Sequence, residues 1–115
     1  MSKDAFFEAA KILSAKLGVT LDEARVLVFV GYWQKTGDYR VGPSPEKMVD
    51  DGWVNDVFVT SSGMHKSDMQ SMFRQGYLLP RKIQNEDGTN SCDHHWMRVS
   101  DSVELAIQES FAELG

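Results

Sequence analysis

The chain has 115 residues, is 42% hydrophobic, carries a formal net charge of -5 and contains one cysteine, Cys92. That length supports one core and not two, so residues 1–115 are read as a single domain. The acidity excludes a generally polycationic nucleic-acid binder, the lone cysteine excludes an internal disulfide, and no apolar run approaches the roughly 20 residues that span a bilayer.

Lys3 and Asp4 do not form a basic leader before an uninterrupted apolar stretch, so no signal peptide is expected, and the chain is read as soluble and cytoplasmic with no membrane partner. From Asp4 to Leu17, Phe6, Ala9, Ala10, Leu13 and Leu17 recur at helical spacing, and Gly18 follows as a stop. Thr20 and Glu23 form a capping-box pair opening a second helix from Leu21 to about Lys35. Its Ala24, Leu27, Val28, Val30, Gly31 and Trp33 are apolar on more than one side, as a central helix requires.

Thr36-Gly37-Asp38 is a turn, and Val41-Gly42-Pro43 is not helical. Ser44 and Pro45 supply an N-cap and a first-turn proline, so a short third helix is expected over Pro45 to Asp51. Gly52 to Thr60, with Trp53, Val54, Val57, Phe58 and Val59, fits neither a helical nor a strand period. Helical spacing returns over Ser62 to Gln75. There Met69, Met72 and Phe73 share one face, Ser67, Gln70, Ser71 and Arg74 the other, and His65 falls on the packing side.

Gly76 ends that helix. Leu78 to Ile83 and His95 to Val99 then read as two strands around the Asp87-Gly88 turn signal. Ser100 caps a last helix whose Val103, Ile107, Phe111 and Leu114 form a stripe. The fold class expected is mainly α with a small β-hairpin (α+β).

Charge is uneven along this order. Between Ser61 and Asn85, Lys66, Arg74, Arg81 and Lys82 stand against Asp68 alone, a net +3 that leaves -8 for the rest of the chain. Such an island suits a surface dedicated to an anionic partner. Met72-Phe73-Arg74-Gln75-Gly76-Tyr77-Leu78-Leu79-Pro80-Arg81 resembles the passage from recognition helix to wing in bacterial regulators of the MarR- and PadR-like type. Trp96-Met97-Arg98-Val99-Ser100 similarly resembles their second wing strand and the start of the helix after it.

The resemblance covers about residues 20–107 and implies a winged helix-turn-helix framed by N- and C-terminal helices. The function it implies is a dimeric, sequence-specific regulator that reads double-stranded DNA with the Ser62 to Gln75 helix in the major groove. Ser67, Gln70, Ser71 and Arg74 are then candidates for base or phosphate contacts, and Lys66, Arg81 and Lys82 for phosphate contacts. The tip Asn85-Glu86-Asp87-Gly88-Thr89-Asn90 departs from that pattern, with two acids and no arginine to enter a minor groove. Phe6, Leu13 and Leu17 with Val103, Ile107, Phe111 and Leu114 offer more apolar helix surface than the domain needs, which predicts a homodimer through the terminal helices.

Cys92-Asp93-His94-His95 contains zinc-ligand types, but alternation on a strand sends His95 away from Cys92 and His94, so no metal is expected. No nucleophile, base and orienting group stand at recognisable spacing, so no enzyme and no cofactor are expected. The alternative is a winged-helix protein-interaction module, an inhibitor or adaptor using the acidic charge and the Trp53 to Phe58 region to hold a protein partner.

Overall fold

The terminal helices form where their local signals put them. In the computed structural model, which describes residues 3–40, 42–43 and 46–115, α1 spans Lys3–Leu17 and α2 spans Leu21–Trp33. Gly18, at φ 69°, turns the chain between them. Thr20 closes the capping box with Glu23: the Glu23 amide donates to Thr20 Oγ1 at 3.1 Å and the Thr20 amide to Glu23 Oε1 at 2.9 Å. α2 is the buried centre, with Ala24, Val26, Leu27, Val28, Val30 and Gly31 inside. A β-carbon on Gly31 would stand 2.6 Å from Ile107 Cδ1, so this glycine sets how closely the C-terminal helix α5 (Asp101–Ala112) approaches α2.

Between α2 and residue 56 the chain makes three short strands, β1 (Tyr39–Arg40), β2 (Lys47–Asp50) and β3 (Trp53–Asn55), where the sequence reading expects a helix over Pro45 to Asp51. Ser44 and Pro45, which carried that expectation, lie outside the described residues. The strand wins because Asp51 and Gly52 both adopt positive φ, 51° and 84°, and close a two-residue turn between the paired Asp50 and Trp53. Val49 and Val54 then meet across β2 and β3 in the core.

The unassigned stretch 52–60 fits no single period because it holds two elements. β3 passes directly into the short helix α3 (Asp56–Ser61), capped by the Asn55 side chain, which accepts from the Val57 amide at 2.9 Å. α4 (Lys66–Arg74) follows and is shorter than the expected Ser62 to Gln75. Met69 and Met72 are buried as expected, whereas His65 is exposed at the α4 N-cap with no side-chain capping bond, not packed.

β4 (Leu78–Gln84) and β5 (Asn90–Val99) form the expected hairpin, and Ser100 caps α5. The sheet has five antiparallel strands in the order β1-β2-β3-β5-β4, so the class is α+β with a larger sheet than one hairpin. Val49, Val54, Leu78, Met97 and Val99 close its inner face against the helices. The buried Gln34 ties the layers, its Oε1 accepting from the Val99 amide at 2.8 Å.

The stripes expected at a dimer interface are spent differently. α1 packs against α2 and α5. Leu13, Val103 and Ile107 are therefore core residues of the single chain, and Phe6, Leu17 and Phe111 pack half-buried against that core. Phe6 meets Tyr32 and Phe111 edge-on at 5.0 and 5.9 Å. Of the seven, Leu114 alone is exposed, at 40%. No described helix is long and apolar enough to cross a membrane.

Candidate functional site

Burial of Met69 and Met72 orients α4, and the residues on the other side of the helix follow from it: Lys66, Ser67, Gln70 and Arg74 are exposed together. Ser71 does not join them. Its hydroxyl donates to Glu23 Oε2 on α2 and accepts from Gln75 Nε2 at 3.2 Å. The Ser71 bond, followed by that from the Thr20 amide, holds the Glu23 carboxyl below its ordinary range. Burial, with Asp22 and Glu23 nearby, pushes the Asp68 carboxyl upward.

The base of the hairpin completes the site. β4 pairs Pro80 with Met97 but Arg81 with Asp93, so His94, His95 and Trp96 span a step with no partner on β4. Such a bulge re-aims side chains that regular alternation would separate. His94 and His95 consequently line the same cleft beside α4, contrary to the expectation that His95 points away. The cleft, about 440 Å³, has Met69, Phe73 and Met97 among its apolar walls and Lys66, Gln70 and Arg74 along α4.

The His94 ring stands edge-on to Phe73 at 5.0 Å. His95 Nδ1 lies 2.9 Å from Asp56 Oδ2 at the start of α3. That hydrogen bond first, and the charges of Asp56 and Asp93 after it, raise the His95 pKa above the ordinary imidazole value, with Lys66 opposing. Cys92 is an exposed free thiol opposite Lys82 and does not line the cleft. Among the described residues no group of three or more His, Cys, Asp or Glu is placed to hold a metal ion.

Of the remaining expected contacts, Lys82 is exposed on β4 and Arg81 turns to the open face of the sheet. Val49, Val54 and Met97 point into the core, so Asp50, Trp53, Trp96 and Arg98 share the opposite face by alternation. There the Arg98 guanidinium lies 5.6 Å from the Trp53 ring centre and that of Arg81 5.7 Å from Trp96. Arg81 also bonds Asp50 Oδ2 at 3.3 Å.

A groove of about 680 Å³ that the sequence reading did not foresee runs beside α1 and α2, lined by Phe6, Phe7, Phe29, Tyr32 and Trp33, with Asp4 and Arg25 also on it. Comparison with protein-family models, with curated proteins and with solved structures finds no match to this chain.

Proposed function

We propose that this chain is a winged-helix DNA-binding regulator, acting as a dimer, with α4 as the helix that enters the major groove. The order α2, β3, α3, α4, β4, β5, with β3 pairing on β5, agrees with that fold. The observation that carries the reading is the α4 face: Lys66, Ser67, Gln70 and Arg74 are exposed on a short helix whose other side is locked by Met69 and Met72. Glutamine and arginine there suit bidentate contacts to base edges, and Lys66 and Lys82 suit phosphates.

Binding of a labelled mixed-sequence duplex, followed by fluorescence anisotropy at two salt concentrations, tests it. Affinity falls steeply with salt if phosphates are neutralised. Absence of binding at the lower salt rejects the reading. The dimer rests on Phe7, 42% exposed on α1, and on Leu105 and Leu114, 56% and 40% exposed at the C-terminal end, in place of the buried stripes.

The open sheet face favours a second reading, a protein-interaction module. Half-buried tryptophans covered by arginines are the residue types that anchor protein interfaces. A face with Arg81 and Arg98 in an acidic chain selects an acidic partner. If the protein ignores duplex DNA while Trp53→Ala and Arg98→Ala abolish capture of one specific protein, this second reading replaces the first.

A further inference from the structure

We propose that the cleft between α4 and the bulge of β5 is the seat of one nucleic-acid backbone phosphate, held by Lys66 and His95. This rests on the DNA reading above and adds to it a contact, a position and a proton. The wing of such a fold is expected to touch nucleic acid at its tip, but here the tip carries Glu86 and Asp87. The cations stand instead at its base. The bulge opposite Pro80 and Arg81 turns His94 and His95 together toward α4, where Lys66 and Arg74 line the same cleft. Met69, Phe73 and Met97 form apolar walls of the cleft beside these cations.

Among the described residues that line the cleft, Asp56 is the one acid. Its side chain is 17% exposed, whereas that of His95, bonded to it, is 72% exposed. The imidazole thus covers the carboxylate and presents a cation to an incoming ligand. Loss of the His95 proton removes that cation and leaves the Asp56 charge uncompensated, so the attraction is lost and a repulsion takes its place. The charged groups facing His95 are Asp56 from α3, Asp93 from its own strand and Lys66 from α4, with His94 and Arg74 lining the same cleft. A phosphate bound there favours the imidazolium further. Binding therefore takes up a proton, and affinity falls as pH rises, by at most tenfold per pH unit for one proton.

The test is duplex binding by anisotropy at constant ionic strength, at about pH 6 and about pH 8, for the wild type, His95→Gln and Asp56→Asn. A parallel NMR titration of the histidine rings with inorganic phosphate reads the seat without DNA. Expected are wild-type binding about tenfold tighter at the lower pH, a weaker and pH-independent His95→Gln, and an Asp56→Asn whose pH dependence moves to lower pH. Inorganic phosphate shifts the His95 resonances and raises its titration midpoint. Duplex binding that ignores pH in the wild type, or keeps its pH dependence in His95→Gln, overturns the seat and leaves the DNA reading standing. No duplex binding at either pH overturns the DNA reading. In that case an unmoved His95 resonance rejects the seat as well, and a moved one retains it for another phosphate-bearing ligand.

Discussion

His95 on β5 and Asp56 on α3 meet at 2.9 Å, Nδ1 to Oδ2, and so join the bulge of the hairpin to the helix that precedes α4. The pair holds the His95 pKa above its unfolded value of about 6.5. Its stabilising contribution is present in full below that value and is lost as pH rises through the higher folded-state pKa. NMR titration of the ring is expected to give a midpoint above 6.5 that Asp56→Asn lowers. A midpoint that the substitution leaves in place would remove the pair as the cause.

Ser71 behaves as a structural tie and not as a reading residue. Ser71→Ala removes the hydroxyl that depresses the Glu23 pKa, and the loss of one hydrogen bond to a charged group costs about 1.5 to 3 kcal/mol. Because the folded-state pKa of Glu23 lies below its unfolded value, this contribution is present above the unfolded pKa and lost as pH falls through the folded one. Urea denaturation at neutral and acid pH is expected to show the wild-type advantage shrinking in acid. An advantage that does not change with pH contradicts the Glu23 assignment.

Gly31→Ala forces its new β-carbon against Ile107 Cδ1, and overpacking of this kind costs roughly 1 to 3 kcal/mol. Ile107→Val removes that Cδ1, so the alanine is expected to cost less in its presence. Denaturation of both single variants and the double variant measures the coupling, and strictly additive costs would show that the contact does not set the α2–α5 distance.

What was legible in the sequence was what local chemistry decides. The α1, α2 and α5 boundaries follow from Gly18, the Thr20 and Glu23 pair and Ser100, each acting within a few residues. β1, β2 and β3 are two, four and three residues long, too short for alternation to declare itself, and the Asp51-Gly52 turn that joins β2 to β3 falls where the helix suggested by Ser44 and Pro45 would end. Strand alternation alone aims His95 away from His94, because a bulge is a property of two strands' register and leaves no trace in the alternation of one. Helical spacing alone puts Ser71 on the outer α4 face, because its partner, Glu23, lies 48 residues away. The helix stripes look surplus in the sequence because the packing of α1 against α5 is likewise a long-range fact.

The proposed dimer makes its own demand on the exposed apolar residues. Sedimentation equilibrium at micromolar concentration is expected to give twice the 13.0 kDa chain mass, and Phe7→Arg and Leu105→Arg, both at exposed positions, to return it to one chain. A wild-type chain already sedimenting at 13.0 kDa would end the dimer proposal without touching the α4 reading.

The division of labour between α4 and its flanks is the sharpest consequence of the DNA reading, and it is measured by duplex affinity across a panel of sequences at two salt concentrations. Gln70→Ala and Arg74→Ala leave Met69 and Met72 in place, so they are expected to fold and to lose about 1 to 3 kcal/mol on the preferred sequence for each good base contact, with little change on others. Lys66→Ala and Lys82→Ala are expected to weaken binding to every sequence alike and to flatten the salt slope, because a phosphate contact is indifferent to the base beside it. If Arg74→Ala and Lys82→Ala both leave duplex affinity unchanged in a folded protein, α4 does not read DNA.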